Sequence, residues 1–384
     1  MLIGIDASRA TTTHRTGTEN YSLHLIRGLL LSGREHQFRL YTQQPPPDGL
    51  FDAQRAEVRS MPFPRLWTHV RLSAEMALQP PDVLFVPAHV LPLIHPRRSV
   101  ATVHDLGFLR YPEAHLPRDL RYLRWSTGWN ARQAAAVIAD SAATKADLVQ
   151  AYDVPPSKVH VVYLGGPEGA DSSAGLDRTP AQAACGEVLS RYGLADATGG
   201  GPAPYLLYVG TLQPRKNLAR VIDAFARIAA DPALADYRLV LAGKQGWLYE
   251  DLAAQVQRLG LAGRVLFPGY VPEADLPALL RGARAFVFPS LYEGFGIPVL
   301  EAGAYGVPVI TSTTSSLPEV AGDAALLVDP HDVDAIAAAM YRLVTDDALA
   351  AELAQRGHAN VRRFSWEKCA RETLAVLESV ARGR

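Results

Sequence analysis

Residues 284–302 read RAFVFPSLYEGFGIPVLEA, and the change of pattern inside them decides the fold. RAFVFPS is a continuous apolar run, and a strand without alternation has to be buried on both faces, as in parallel α/β sheets. Gly294 and Gly296 then permit a turn. Pro298 suits the first turn of a helix, where its missing N–H would have had no partner. The stretch therefore reads as strand, turn and helix, with Glu293 at the carboxyl end of the strand, where open α/β sheets bind their ligands. The helix N-terminus offers N–H groups and partial positive charge, which suits phosphate. Glu301, read as lying in the first turn of that helix, would repel phosphate, so sugar or ribose hydroxyls are its natural partners. A plainer reading stays open, in which Glu293 caps the turn and Glu301 offsets the helix dipole.

The same alternation runs outward in both directions. LIGIDA (2–7), QFRLYT (37–42), VLFVPA (83–88), SVATVHD (99–105), AAVIADS (135–141) and VHVVYLG (159–165) read as strands of a first series. YLLYVG (205–210), YRLVLAG (237–243), RVLFPGY (264–270), RAFVFPS (284–290), VPVITS (307–312) and AALLVD (324–329) form a second. Each is followed by a stretch compatible with a helix. The expectation is an α/β protein of two Rossmann-like domains facing one another across a cleft. Residues 1–168 form the first, acceptor-side domain, and 204–363 the second, donor-side domain. The Gly-, Ala-, Ser-, Asp- and Pro-rich stretch 169–203 links them, and 364–384 is a terminal helix.

Several strand ends carry candidate chemistry. YVGTLQPRKNLARVIDAF (208–225) places Arg215 and Lys216 between a strand and a helix that Asn217 would cap. Two cations there can hold a diphosphate and neutralise a leaving group. His104 and Asp105 end the strand of ATVHDLGF (101–108), and His104 has the chemistry to contact or polarise a reacting sugar. The loop THRTGTENY (13–21) contains Gly17 before a helix starting near Glu19. It lacks G-x-G-x-x-G, and no Walker A sequence occurs, so dinucleotide and P-loop readings lose their fingerprints. Asp332 and Asp334 in HDVDA (331–335) look like a metal motif but are better read as a helix cap. LPRDLRYLRWSTGWNARQ (116–133) interleaves Arg118, Arg121 and Arg124 with Tyr122, Trp125 and Trp129. A packed amphipathic helix is the plain reading, and contact with a membrane surface is the other.

The 384 residues have a net charge of −1, which carries no nucleic-acid signature. Residues 1–165 hold 18 Lys/Arg against 14 Asp/Glu and the remainder 20 against 25, a mild tilt that would favour an anionic acceptor or membrane on the first half. Cys185 and Cys369 are the two cysteines, so neither a disulfide framework nor a thiolate metal site is expected. MLIGIDASRA has no signal-peptide pattern, and no apolar run approaches the ~20 residues that span a bilayer. The expected location is the cytoplasm, with peripheral contact on the inner membrane face.

E-G-F-G-I-P-V-L-E, from Glu293 to Glu301, resembles the E-x7-E motif of retaining GT-B glycosyltransferases of family 4. YVGTLQPRKN, HDL, ADSAATKADL (139–148) and TSTTSSLPEVAGDAALLVDP (311–330) match in order. The resemblance covers nearly the whole chain and is weakest in the linker. It implies the GT-B fold, with the terminal helix returning to the N-terminal domain. Glu293 would contact the donor sugar, and Glu301 the ribose hydroxyls. The backbone of Gly294, Phe295, Gly296 and Ile297 would meet the sugar or its phosphates. Arg215 and Lys216 match the diphosphate-binding pair, His104 a histidine near the transferred sugar, Gly17 the first-loop glycine and Val271 the backbone near the base. One departure stands out: many relatives carry Arg directly after the strand glycine, whereas Thr211 follows Gly210 here.

The resemblance further implies retention of anomeric configuration with no metal and no cofactor, the nucleotide-diphosphate sugar being the donor substrate. Thr16 to Tyr21 together with HDL look most like mannosyltransferases that use GDP-mannose in polysaccharide assembly, with a glycan or lipid-linked acceptor. Three other readings share the residues: a GT-B sugar-nucleotide epimerase, a starch-synthase-like polymeriser, and a non-catalytic nucleotide-sugar-binding protein.

Overall fold

The computed structural model describes residues 1–12, 17–88, 90–114, 116–167, 182–194, 203–244 and 249–383. The chain divides into two units, residues Met1–Gly165 with Phe364–Arg384, and residues Gly166–Arg363. Each is built on a parallel sheet.

In unit 1 the strands are β1 (Leu2–Asp6), β2 (Gln37–Thr42), β3 (Ala56–Ser60), β4 (Val83–Val86), β5 (Ser99–Val103), β6 (Ala136–Ala139) and β7 (Val159–Val161). They lie in the order β3-β2-β1-β4-β5-β6-β7, and every pairing is parallel. β4, β5 and β6 are buried at every position, as their unalternating runs require. β3 is the one strand of this sheet that the apolar pattern did not announce. Its sequence, AEVRS, buries only Ala56, and it sits at the edge, held by Arg39 Nε donating across the ladder to Glu57 Oε2 at 2.8 Å.

In unit 2 the strands are β8 (Tyr205–Val209), β9 (Arg238–Ala242), β10 (Val265–Gly269), β11 (Ala285–Phe288), β12 (Val309–Ser312) and β13 (Ala325–Val328). Their order is β10-β9-β8-β11-β12-β13, again wholly parallel. The chain winds outward from β8 in one direction and from β11 in the other, so the sheet reverses its winding between these two strands. In such sheets that gap, at the carboxyl ends, is where ligands bind. The helix Leu218–Ala229 after β8 buries Leu218, Val221, Ile222, Phe225 and Ile228, the spacing of one helical face. Each such side chain contributes roughly 1.5–3 kcal/mol of burial, which anchors the loop in front of it.

The terminal helix Trp366–Ala381 belongs to unit 1, where it packs on the helix Gly17–Ser32. Ser365 caps it, accepting from the Lys368 N–H. Gly28 makes the close approach possible, since a Cβ there would stand 2.7 Å from the Ala370 Cβ. Of the stretch expected as a linker, residues 182–191 form a helix in unit 2. Its last residue, Arg191, and the hydroxyl of the following Tyr192 both donate to Asp275, at 2.9 and 2.6 Å. Residues 169–181 and 195–202 of that stretch, residue 168 before it, and 13–16 of the expected first loop lie outside the described residues.

Candidate active site

The switch point of unit 2 carries two loops of opposite charge. After β8, the single turn Pro214–Lys216 exposes Arg215 and Lys216 to the loop that follows β11. Lys216 Nζ donates to Glu293 Oε1 over 2.5 Å, and Arg215 Nη1 donates to Glu293 Oε2 at 3.3 Å and to the Tyr292 carbonyl at 2.8 Å. Leu291 N–H donates back to the Arg215 carbonyl at 2.9 Å. Glu293 is 7% exposed and Lys216 is 9% exposed, and the ammonium sits 4.9 Å from the centre of the Phe288 ring. Burial pushes the Glu293 carboxyl up, but the charges of Lys216 and Arg215 outweigh it and hold it below the ordinary glutamate value. The three side chains together carry a positive balance, which suits an anionic ligand.

The turn after Glu293 is fixed from β12's side. Ser316 Oγ donates to the carbonyls of Glu293 and Phe295 at 3.0 and 2.6 Å, and the Glu293 N–H donates to Ser315 Oγ at 2.9 Å. Gly296 takes φ +115°, a conformation that favours glycine, and leads into the helix Ile297–Ala304 with Pro298 in its opening positions. Gly294, Phe295, Gly296 and Ile297 thus form the turn at that helix's N-terminus. Glu301 lies one turn deeper than expected: the first turn of the helix holds no acidic residue. The carboxyl is half-buried, and burial together with the nearby charge of Glu273 pushes its pKa up to about 7.

Asn217 also differs from expectation. It occupies the N-cap position in the left-handed region, φ 63°, but its side chain makes no cap hydrogen bond. The amide instead donates to the carbonyls of Pro289 and Pro330 at 3.1 and 2.6 Å, while Oδ1 accepts from Arg220. It ties the basic loop to the strand end that carries Glu293, a contact that serves the site better than a cap. Val271 follows β10, the edge strand separated from β8 by β9, and is half-buried there. Asp332 is the helix cap its sequence suggested, accepting from the Asp334 and Ala335 N–H groups.

In unit 1, His104 follows β5 and is bonded at both ring nitrogens. Nδ1 lies 2.7 Å from Asp140 Oδ2 and Nε2 lies 3.0 Å from the Pro87 carbonyl. Both partners accept, so the ring carries two protons when Asp140 is ionised. Burial lowers the His104 pKa, but the Asp140 charge and hydrogen bond more than offset it, and the net direction is upward. Tyr21, from the helix that Gly17 opens, sets its ring edge-on to His104 at 4.7 Å. A cavity of about 280 Å³ adjoins His104, with Asp105, Phe108, Tyr122 and Asn130 in its wall. Asp140 was within reach of the strand-end rule that picked out His104, because it directly follows β6. Among the described residues one group could hold a metal, Glu35, His36 and Glu378, and it contains none of these site residues.

Two parallel sheets of Rossmann order in one chain, with cations and a buried carboxylate at the second switch point, define the GT-B class of α/β proteins. Residues 200–360 match the model of the glycosyl transferases group 1, and residues 15–165 match that of Glycosyltransferase Family 4. The chain is 33% identical over 385 residues to the O-antigen chain mannosyltransferase B of Escherichia coli, covering 94% of this chain and 95% of that one. Among solved structures it resembles WaaG, a glycosyltransferase involved in lipopolysaccharide biosynthesis, with a TM-score of 0.71, 16% identity, and 98% and 99% coverage of the two chains. Anabaena Alr3699/HepE in complex with UDP and glucose matches with a TM-score of 0.70, 19% identity and the same coverage. The chain belongs to glycosyltransferase family 4.

Proposed function

We propose that this protein is a retaining mannosyltransferase that moves mannose from GDP-mannose to a glycan or lipid-linked acceptor in polysaccharide assembly. The observation that carries the reading is the Arg215–Lys216–Glu293 cluster at the β8/β11 switch point, two cations and a buried carboxylate whose charge and place suit a nucleotide-diphosphate sugar. The mannose assignment draws its support from the full-length similarity to the Escherichia coli mannosyltransferase.

In this reading Arg215 and Lys216 hold the diphosphate and stabilise the charge that develops on it as the sugar leaves. The helix N-terminus from Gly294 to Ile297 receives phosphate or sugar oxygens. Glu293 orients the sugar and stabilises positive charge at its anomeric carbon, Glu301 accepts from the ribose hydroxyls, and backbone at Val271 borders the base. In unit 1, His104 is assigned to the transferred sugar and Gly17 to a ligand loop. The acceptor oxygen attacks the anomeric carbon on the face the phosphate leaves. One C–O bond to phosphate breaks, one to the acceptor forms, and the acceptor's proton passes to a departing phosphate oxygen. No metal or cofactor is required, and the enzyme works in the cytoplasm. No helix among the described residues is long and apolar enough to cross a membrane.

The test is a thermal-shift comparison of GDP-mannose with UDP-, ADP- and dTDP-sugars, followed by the anomeric configuration of the product. A ligand bound only by the folded state raises the melting temperature by mass action. GDP-mannose should give the largest shift and the product an α-linkage. Stabilisation by a UDP-sugar alone overturns the donor assignment, and a β-linked product overturns retention.

A further inference from the structure

The cavity beside His104 has no part in the donor chemistry above, and its wall has a composition of its own. The helix Pro117–Gln133 packs Leu120, Leu123 and Trp129 on the core of unit 1. Between Leu123 and Trp129 stand the small, buried side chains of Ser126 and Thr127. Where these share a wall with the end of β5, a hollow of about 280 Å³ remains. That is just under the usual range for drug-sized ligands, and leaves room for a single sugar-sized ring.

The groups in the wall decide which ring it can be. His104 has both nitrogens engaged, by Asp140 at 2.7 Å and by the Pro87 carbonyl at 3.0 Å. What it brings to the cavity is positive charge, which opposes a cationic ligand. Asp105 follows it in the wall and is half-buried, with Oδ1 accepting from the Gly107 N–H at 2.9 Å. Each carboxylate oxygen accepts more than one hydrogen bond, so Asp105 has capacity left for a ligand. Its charge opposes an anion, which turns away the phosphate end of a nucleotide sugar. Ser126 adds a second acceptor: its Oγ donates to the Leu123 carbonyl at 3.2 Å, and the oxygen lone pairs are left. Phe108 and Leu123 supply apolar wall. A wholly apolar ligand would strip water from Asp105 and return no hydrogen bond. A neutral ring with hydroxyl groups on its rim and C–H groups on its faces suits both kinds of wall, and a hexose is such a ring.

We propose that this cavity seats the acceptor's sugar ring, and that Asp105 selects it by accepting from its hydroxyl groups. Hexose binding stands on the cavity alone. The acceptor role rests on the glycosyltransferase reading, in which His104 meets the transferred sugar. The test uses the full chain with methyl α-mannoside, methyl α-glucoside and methyl α-galactoside. Saturation-transfer NMR without donor reads binding, and steady-state kinetics with GDP-mannose read the acceptor KM. The wild type should bind at least one of the three. Asp105→Asn should raise the Kd and the acceptor KM about tenfold or more, with the KM for GDP-mannose unchanged. Ser126→Leu, which fills the cavity, should remove hexoside binding. A melting curve of each variant close to that of the wild type separates lost binding from lost folding. Absence of hexoside binding by the wild type, or an unchanged Kd in both variants, overturns the proposal. A KM that rises alike for donor and acceptor in Asp105→Asn makes the residue a structural one and overturns its role. Hexoside binding that depends on Asp105, without transfer from any nucleotide sugar, upholds the sugar site and removes the glycosyltransferase reading instead.

Discussion

Lys216 Nζ and Glu293 Oε1 lie 2.5 Å apart although 77 positions separate the two residues in the chain. The sheet order makes the contact, since β8 and β11 are neighbours across the reversal of winding. The pair is buried, so removing one partner strands the other. Lys216→Met and Glu293→Gln should each abolish transfer, by roughly 100-fold or more, and each should cost stability. For Lys216→Met the cost is about 3 kcal/mol, because a buried carboxylate then depends on Arg215 alone. The double variant should lose less stability than the two singles added together. A cycle of denaturant melts measures this; strictly additive losses would show that the pair does not interact.

Glu301 should make the protein's stability fall with rising pH. Its pKa is raised to about 7 from 4.5, so the folded state holds a proton that the unfolded chain has released between those values. The penalty is absent below pH ~4.5 and complete above ~7, at most on the order of 2–3 kcal/mol for this half-buried group. Glu301→Gln should therefore gain stability relative to wild type at pH 8 and little at pH 4.5. It should also weaken donor binding if the ionised carboxylate grips the ribose. Melts at the two pH values decide the sign, and a gain confined to the acidic side would contradict the burial argument.

Gly296 sits at φ +115°, and a Cβ there would meet Leu317 Cδ2 at 2.8 Å. Gly296→Ala should cost about 1–3 kcal/mol through backbone strain and distort the turn before the helix Ile297–Ala304. KM for the donor should rise more than kcat falls. Steady-state kinetics against donor concentration checks it; an unchanged KM would remove this turn from the donor's binding site.

In the proposed reading Arg215 and Lys216, which leave a net positive charge beside Glu293, take the part of a divalent ion against the diphosphate. Transfer should persist in EDTA at close to its full rate. Strict dependence on added Mg²⁺ or Mn²⁺ would show that Arg215 and Lys216 do not suffice.

What could be read from the chain beforehand was whatever is local. β11 is an uninterrupted apolar run, and Pro298 marks a helix start because its ring and missing N–H act on its own turn. β3 escaped because AEVRS buries a single side chain at a sheet edge, and its Arg39–Glu57 pairing exists only once two strands are side by side. The grip of Lys216 and Arg215 on Glu293 was hidden for the same reason, although each loop was legible alone. Asn217 has the chemistry of a cap, but its Oδ1, the atom a cap would use, accepts from Arg220, and its amide nitrogen donates to two carbonyls from distant loops. The alternation of arginines and rings in 117–133 was visible as a composition. Which residues of that helix are buried is a packing outcome with no local signature: a Cβ on Gly128 would stand 3.1 Å from the ring of Tyr152, on the helix Ala142–Tyr152.

His104 and Asp140 give the last prediction, and its sign follows from the direction of the shift. The His104 pKa is raised in the folded protein despite burial, because Asp140 and the Pro87 carbonyl both favour the doubly protonated ring. The stability this confers is fully present below the unfolded value of ~6.5 and is lost as pH rises through the raised folded value. Asp140→Asn removes the charge and leaves burial as the main influence, so the His104 pKa should fall below the ordinary histidine value. The variant should lose roughly 2 kcal/mol at acidic pH, with the gap to wild type narrowing above neutrality. NMR titration of the His104 ring reads the pKa directly, and melts across the same range read the gap. If His104 titrates unchanged in Asp140→Asn, the carboxylate is not what holds its proton, and the assignment of this pair to a charged ring at the β5 end fails.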